Sequence, residues 1–240
     1  MQQPLYGLIG GKLGHSYSKI IHEQIADYTY DLLPLPTEAE ARAFMEKRAF
    51  AAINVTIPYK QLVIPYCDEV DPKAKAIGAV NTIVNRDGKL YGYNTDYAGF
   101  AYLAKAHGVD FADKTVLILG TGGASKAVYR GLANLGIESV FVSRTKKESS
   151  HLTYDELTPE IMQEYTIIVN CTPVGMYPKV DFCPDIPYDQ LTPNHLLYDL
   201  LYNPNETLFM KKGEAHGAVT KNGLEMLLLQ AFAAWEIWDK

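Results

Sequence analysis

The stretch KTVLILGTGGASKAVYRGLANLGIESVFVSR, residues 114–144, decides the fold. Its apolar start at 114–119 is typical of a buried strand, and a cluster of glycines separates it from a helical pattern that runs to about residue 134. A second strand pattern follows at 139–142. Strand, turn, helix and strand in this order predict a right-handed βαβ unit within a parallel sheet.

The glycine cluster has the context of an anion-binding loop. Gly120, Gly122 and Gly123 lie between the strand and the helix, where they let the backbone approach a ligand closely. The helix N-terminus that follows offers free N–H donors and a positive dipole end, which suit the pyrophosphate of a dinucleotide. An ordinary tight turn between a strand and a helix is the alternative interpretation.

The residues after the second strand favour the dinucleotide and indicate which one. An acidic residue at this place accepts a hydrogen bond from a ribose 2′-hydroxyl, whereas an arginine accommodates a 2′-phosphate. The chain has Ser143-Arg144-Thr145-Lys146-Lys147 here, with no carboxylate before Glu148. NADP is therefore the predicted cofactor, with Arg144 as the phosphate contact; a solvated basic loop is the alternative.

Strand and helix patterns alternate on both sides of this unit, which predicts an α/β protein of two domains. Strands are expected at 5–9, 30–35, 51–56, 79–84, 90–93, 166–169, 196–200 and 218–220, and helices at 18–28, 37–48, 96–107 and 223–238. We expect a mostly parallel α/β substrate domain at 1–97 plus 224–240, and a Rossmann-like domain at 98–223. The closing helix is expected to pack back on the first domain with an apolar face of Leu224, Leu227, Leu228, Ala231, Trp235 and Trp238.

Composition limits the classes of function. The 240 residues carry a net charge of -6, so nucleic acid and anionic membranes are not expected partners. The three cysteines are widely spaced and form no metal-binding pattern, so no metal is expected. With no signal-like or membrane-length apolar run, we expect a soluble cytoplasmic protein that acts on a small molecule, as a monomer or homodimer.

Polar residues cluster in three short segments of the first half. Ser16 and Ser18 follow the first strand and could converge on a carboxylate, although serines before a helix are more often N-caps. Lys60 ends the segment 54–60 after the third strand, and Asp96 ends 94–96. Reduction of a ketone needs a group that protonates the developing alkoxide, and Lys60 paired with Asp96 would supply it; a surface lysine and a helix-capping aspartate are the alternatives.

Taken in order, these segments resemble the shikimate dehydrogenase family along nearly the whole chain. The segments that carry the resemblance are GHSYS at 14–18, NVTIPYK at 54–60, GAVNTIV at 78–84, GYNTDYAG at 92–99, GTGGASKA at 120–127, SRT at 143–145, NCTPVG at 170–175, DLLYNP at 199–204 and GLEMLLLQA at 223–231. The resemblance implies reversible, NADP-dependent reduction of 3-dehydroshikimate to shikimate, a step of aromatic amino-acid biosynthesis.

The resemblance also implies a role for each matching residue. Lys60 and Asp96 would be catalytic. Whether Lys60 acts as a proton shuttle or as an electrostatic clamp stays open. Ser16, Ser18 and Tyr202 would hold the substrate carboxylate, and Thr56, Asn81 and Gln230 its hydroxyls. The residues implied in cofactor binding are Gly120, Thr121, Gly122, Gly123, Ala124, Ser143, Arg144, Thr145, Lys147, Thr172 and Gly223.

Three alternatives stay open. A quinate/shikimate dehydrogenase with relaxed NAD or NADP use would more naturally carry an acidic residue near position 144. A non-catalytic shikimate-binding relative would have lost Lys60 or Asp96, and both are present. A dinucleotide-binding protein with an unrelated substrate would have no need for Ser16, Ser18, Asn81 and Gln230 together.

Overall fold

The computed structural model describes residues 4–14, 16–96, 115–146 and 151–240. The chain divides into two compact units, Met1–Gly99 with Leu227–Lys240, and Phe100–Met226. Two expectations fall outside the described residues: Lys147, and the helix at 96–107 apart from Asp96. No helix within the described ranges is long and apolar enough to cross a membrane.

The first unit contains a six-stranded mixed sheet in the order β2-β1-β3-β5-β6-β4. Strands β1, β2 and β3 are parallel, whereas β5 runs antiparallel to β3 and to β6. The strands are β1 (Tyr6–Gly10), β2 (Tyr30–Pro34), β3 (Ala52–Val55), β4 (Glu69–Val70), β5 (Thr82–Arg86) and β6 (Lys89–Tyr93), and the helices are α1 (Ser18–Ile25), α2 (Glu38–Lys47) and α3 (Pro72–Ile77).

Local sequence explains several of these boundaries. Helix α2 begins after Thr37, whose hydroxyl accepts a hydrogen bond from the Glu40 backbone N–H while the Glu40 carboxylate accepts one from the Thr37 N–H. This capping box satisfies two donors that a helix start leaves unpaired. Strands β5 and β6 form an antiparallel hairpin, and its turn residues Asp87 and Gly88 both have positive φ, 52° and 86°.

The second unit contains a six-stranded parallel sheet in the order β12-β11-β10-β7-β8-β9. Its buried core lies on β7, β10 and β11, whose facing side chains include Leu117, Ile168 and Leu197. The strands are β7 (Thr115–Leu119), β8 (Glu138–Ser143), β9 (Leu152–Thr153), β10 (Ile167–Asn170), β11 (Leu196–Asp199) and β12 (Val219–Lys221), and the helices before the last are α4 (Gly123–Asn134), α5 (Pro159–Glu164) and α6 (Leu208–Ala215).

The closing helix α7 (Leu224–Trp238) packs on the first unit with most of the predicted face, and Leu228 is the exception. Leu228 was expected on the covered face but is 38% exposed. Ala231 of the predicted face is buried, and Trp238 of the same face packs on the rings of β1 and β2. Gln230 and Ala234, which were not on that face, are buried as well. The sequence misplaced Leu228 because the helix is apolar nearly all round, so its periodicity defines no single stripe.

Candidate functional site

Polar side chains of the first unit meet at one edge of its sheet. The carboxyl ends of β1 and β3 lie at this edge, as does the amino end of β5, because β5 runs in the opposite direction. Two backbone hydrogen bonds tie the junction together: Val55 N–H donates to Asn81 C=O at 2.8 Å, and Asn81 N–H donates to Tyr93 C=O at 3.0 Å. Segments far apart in sequence thus end side by side.

Lys60 and Asp96 form an ion pair at this edge. The Lys60 Nζ lies 2.6 Å from Asp96 Oδ2, and the two side chains are only 17% and 11% exposed. The Lys60 carbonyl accepts a hydrogen bond from Val80 N–H at 2.8 Å, which holds the lysine backbone against the start of β5. A cation and a carboxylate in contact and largely shielded from water are arranged for proton transfer or charge stabilisation.

Asn81 orients Asp96. Its Nδ2 donates to Asp96 Oδ1 at 2.9 Å and also to Thr95 Oγ1 at 3.0 Å, while its Oδ1 accepts from Thr95 N–H at 2.7 Å. One oxygen of the Asp96 carboxylate therefore meets an amide and the other an ammonium. Asn81 is 2% exposed, so the surrounding residues restrict its side-chain amide to few other orientations.

Gln230 brings the closing helix to the same cluster. The Thr95 hydroxyl lies 3.3 Å from Gln230 Oε1, and the Gln230 Nε2 donates to the Leu227 carbonyl at 3.1 Å. The side chain is buried, at 9% exposure. Lys60, Asn81, Asp96 and Gln230, four of the residues singled out in the sequence, are thus connected through one hydrogen-bonded network.

Sequence reasoning missed the buried residues that extend this network. Tyr30 OH donates to Asn54 Oδ1 at 2.8 Å, and Asn54 Nδ2 donates to Thr82 Oγ1 at 3.1 Å. The Thr82 hydroxyl in turn donates to Asn81 Oδ1 at 3.1 Å. Asn54 opens the segment 54–60 and was available as a signal, but Tyr30 lies in a strand whose pattern is that of an ordinary core element.

Ser16, Ser18 and Thr56 lie near the carboxyl ends of β1 and β3. Ser18 is the buried first residue of α1, and its N–H donates to Ser16 Oγ at 3.2 Å. Thr56 follows β3 directly, and Gly10 makes room for it, since a Cβ at Gly10 would lie 2.5 Å from the Thr56 methyl carbon. Among the described residues, no hydrogen bond joins these three hydroxyls to the Lys60 and Asp96 cluster.

In the second unit the glycine loop leaves space at the start of α4. Gly120 has a φ of 101°, and a Cβ there would lie 3.0 Å from the Thr172 methyl carbon. Gly122 is the N-cap; among the described residues, no side chain caps the helix and no atom lies within 4 Å of a Cβ placed at Gly122. Thr121 precedes the helix, and Gly123 and Ala124 begin it. The N-terminus of α4 therefore faces open space, which an anion site at a helix start requires.

The loop after β8 presents its cation to solvent. Arg144 and Thr145 are exposed, whereas Ser143 is buried and its hydroxyl donates to the Thr145 carbonyl. Lys146 is held by Glu156, with Nζ 2.9 Å from Oε2. The charge of Lys146 is therefore partly neutralised, which leaves Arg144 as the better phosphate contact in the described part of this loop.

The remaining predicted residues lie on loops after β10, β11 and β12. Thr172 donates from its N–H and its hydroxyl to Asn170 Oδ1, at 3.0 and 2.6 Å. Tyr202 is half-buried just beyond β11. Gly223 approaches the backbone so closely that a Cβ would lie 2.1 Å from the Leu200 carbonyl oxygen, so only glycine fits there. Within the described ranges, no group of three or more His, Cys, Asp or Glu side chains could hold a metal ion.

Comparisons with known proteins agree with this architecture. Residues 8–83 match the family model of the shikimate dehydrogenase substrate binding domain. A shikimate dehydrogenase (NADP(+)) from Clostridium beijerinckii is 41% identical over 98% of this chain and 92% of its own length. The crystal structure of shikimate dehydrogenase 1 from Peptoclostridium difficile is 39% identical, with a TM-score of 0.89 over 99% of this chain and 92% of that one.

A third relative was solved with both ligands. The shikimate 5-dehydrogenase from Thermus thermophilus, in complex with NADP(H) and shikimate, is 30% identical, with a TM-score of 0.86 over 98% of this chain and 93% of that one. The two sheets and their polar edges define a two-unit α/β protein with a Rossmann-like second unit. Within that class, the chain belongs to the shikimate dehydrogenase family.

Proposed function

We propose that the protein is an NADP-dependent shikimate dehydrogenase that reversibly reduces 3-dehydroshikimate to shikimate, as in aromatic amino-acid biosynthesis. The observation that carries the proposal is the shielded ion pair of Lys60 and Asp96, whose nitrogen and oxygen lie 2.6 Å apart. A non-catalytic relative would have no need to keep an ammonium in contact with a carboxylate at the edge of its sheet.

The second unit fits NADP. The uncapped N-terminus of α4, with open space at Gly122, suits the pyrophosphate, and the exposed Arg144 suits a 2′-phosphate. When bound, the cofactor supplies the hydride for the carbonyl carbon. We assign cofactor contacts to the glycine loop at 120–124, to Ser143–Thr145, to Lys147 and Thr172, and to Gly223.

The first unit supplies the proton chemistry. As the carbonyl oxygen of the substrate gains negative charge, the Lys60 ammonium stabilises it and transfers a proton to it, and in the reverse direction Lys60 accepts the proton. Asp96, fixed by Asn81, holds the Lys60 Nζ in place. In the alternative mechanism Lys60 keeps its proton and acts as an electrostatic clamp, which stabilises the negative charge on the substrate oxygen.

Substrate selectivity follows from the remaining polar groups. We propose that Ser16, Ser18 and Tyr202 bind the carboxylate and that Thr56, Asn81 and Gln230 bind ring hydroxyls. A substrate analogue that lacks one hydroxyl leaves a buried partner unpaired, at a cost of about 1–3 kcal/mol. The first unit is thus proposed as the substrate domain (1–97 plus 224–240) and the second as the cofactor domain (98–223), in a cytoplasmic monomer or homodimer.

The test follows the absorbance of the reduced cofactor with purified protein. Shikimate with NADP should be turned over, while NAD should be a weaker cofactor because it lacks the phosphate that Arg144 would contact. Quinate in place of shikimate tests the quinate/shikimate alternative. Absence of turnover of shikimate with either cofactor would refute the proposal.

Lys60→Ala separates catalysis from binding. We expect kcat to fall by about 10²–10⁴-fold with a modest change in the KM for shikimate, because the lysine acts mainly as charge develops in the transition state. Lys47→Ala, at an exposed position in the last turn of α2, is the matched control and should keep parental kinetics. Equal kcat in Lys60→Ala and the parent would remove the role assigned to Lys60.

A further inference from the structure

Asp199 is a buried carboxylate of the second unit with no role assigned so far. It is the last residue of β11 and has no exposed surface. Its Oδ1 accepts from Asn170 Nδ2 and from Leu201 N–H, each at 3.0 Å, and its Oδ2 accepts from the Thr207 hydroxyl at 2.6 Å. Burial raises the pKa of Asp199 to about 6, and these three donors oppose that rise by favouring the charged form.

Each donor belongs to a different part of the unit. Asn170 ends the neighbouring strand β10, and its own Oδ1 accepts both the N–H and the hydroxyl of Thr172. Leu201 directly precedes Tyr202. Thr207 is the N-cap of α6 and accepts from Met210 N–H at 3.3 Å. One carboxylate thereby connects the loops after β10 and β11 to the start of a helix.

Backbone hydrogen bonds join the same two loops further out. Tyr177 N–H donates to the Asn203 carbonyl at 3.1 Å, and Leu200 N–H donates to the Asn170 carbonyl at 3.0 Å. Gly223 N–H donates to the Leu201 carbonyl at 2.9 Å. Within this cross-linked set, Asp199 is the charged member, and charge-assisted hydrogen bonds are the stronger ones.

We infer that Asp199 is a positioning residue for both ligands: through Leu201 it fixes the backbone that carries Tyr202, and through Asn170 it fixes Thr172. The inference rests on the proposed function, which gives Tyr202 the substrate carboxylate and Thr172 a cofactor contact. Asp199 itself touches neither ligand. A strand end held from three sides keeps the two loops in one arrangement before ligands arrive, which lowers the entropic cost of binding.

The experiment is steady-state kinetics of the full chain with shikimate and NADP for Asp199→Asn. The substitution keeps one acceptor oxygen but places an amide opposite the Thr207 hydroxyl. We expect the KM values for shikimate and for NADP to rise by about tenfold or more, as loss of a hydrogen bond to a charged group implies, while kcat falls less. If the parent turns over shikimate and Asp199→Asn has the same KM values as the parent, the inference fails and the proposed function stands. If the parent does not turn over shikimate, the proposed function fails.

His195→Gln is the matched control because His195 directly precedes the opposite end of the same strand. His195 is 2% exposed, with Nε2 2.8 Å from the Met162 carbonyl oxygen and Nδ1 3.0 Å from Thr192 N–H. Its replacement should lower the thermal midpoint without raising either KM. If both variants raise KM alike at a matched loss of thermal midpoint, Asp199 has only a general structural role and the inference fails.

Two further comparisons identify the route from Asp199 to substrate. In a Tyr202→Phe background, which lacks the proposed carboxylate ligand, Asp199→Asn should change the KM for shikimate much less than in the parent. Full additivity of the two substitutions would contradict the route through Tyr202.

Thr207→Val should reproduce part of the rise in KM that Asp199→Asn causes. Thr207→Ser keeps the hydroxyl and should have the parental KM. Equal KM values in these two variants would also count against the inference.

Discussion

The amide of Asn54 joins parts of the first unit that are far apart in sequence. It accepts from Tyr30 OH at 2.8 Å and donates to Thr82 Oγ1 at 3.1 Å, and Tyr30 and Thr82 are both fully buried. An unpaired polar group in such surroundings costs the full penalty of its desolvation. Asn54 therefore stabilises the network behind Lys60 and Asp96 without being needed at the reacting atoms.

Asn54→Leu should destabilise the protein by about 2–4 kcal/mol. It leaves the buried Tyr30 hydroxyl without its partner, at about 1–3 kcal/mol, and removes the hydrogen bond that Thr82 Oγ1 accepts, at about 0.5–1.5 kcal/mol. Urea unfolding followed by circular dichroism measures the loss. Gln61→Leu, at an exposed position of the same unit, is the control and should change stability by no more than about 0.5 kcal/mol. A loss for Asn54→Leu as small as that of the control would show that the amide is not structurally required.

At the residue scale, the sequence indicated the charged and polar groups but not what holds them. Lys60, Asn81 and Asp96 stood out because they follow strand patterns in short polar segments. Thr82 and Tyr30 did not, because each lies within a strand and resembles a core residue of the β-branched or aromatic type. Their hydrogen bonds to Asn54 join residues 24 and 28 positions apart, which the order of strands in the sheet brings together and a local pattern does not contain.

At the element scale, α1 packs on β2 and α7 through His22. The imidazole stacks on Tyr30 with ring centroids 4.2 Å apart and lies 5.1 Å from the Trp238 ring, and its Nδ1 is 2.7 Å from Tyr28 OH. Burial lowers the pKa of His22 to about 4 from its usual 6.5. The ring is therefore neutral in the folded protein over the pH range in which the unfolded chain takes up a proton.

This difference predicts a pH-dependent stability. Well above pH 6.5 His22 is neutral in both states, and as pH falls from there toward 4 the unfolded state takes up the proton first, so the free energy of unfolding falls. Between pH 7 and 4.5 the parent should lose about 2–3 kcal/mol relative to His22→Gln, measured by urea unfolding at both pH values. His216→Gln controls for removal of an exposed histidine. If the difference in free energy of unfolding between the parent and His22→Gln is the same at both pH values, the expectation is contradicted.

Short elements were the ones that the sequence pattern did not predict. Helices α3, α5 and α6 and strands β4 and β9 were not expected. Helix α6 contains Gly213, which weakens a helical pattern, but a Cβ there would lie 2.6 Å from the Leu197 side chain of β11. Close approach between helix and strand requires that glycine, and this requirement is visible only in the packed structure.

At the scale of the whole molecule, ligand binding should stabilise the fold selectively. A ligand at 100 times its Kd adds about 2.7 kcal/mol to the free energy of unfolding if it binds only the folded state. NADP should therefore raise the thermal midpoint more than NAD does at equal concentration, because its extra phosphate would contact Arg144. Equal shifts from the two cofactors would contradict the phosphate contact.

Arg144→Ala should remove most of the difference between NADP and NAD while it leaves the shift caused by NAD nearly unchanged. Arg130→Ala, at an exposed position late in α4, is the control for loss of a positive charge in the same unit. The measurement is thermal unfolding followed by circular dichroism, so it does not depend on turnover. A similar loss of the NADP shift in both variants would indicate a general effect of charge.

The sequence by itself determined the α/β class, the Rossmann-like unit and the family, because strand and helix periodicity, glycine turns and ordered segments are local properties of the chain. Only the tertiary structure decided that Leu228 of α7 is exposed while Gln230 and Ala234 are buried, which buried partners surround Asn81, and how Asp199 connects three elements. The physical reason is that these contacts form when strands pair in a particular register. Hydrogen-bond partners distant in sequence are then chosen by geometry, whereas each local pattern is compatible with several partners.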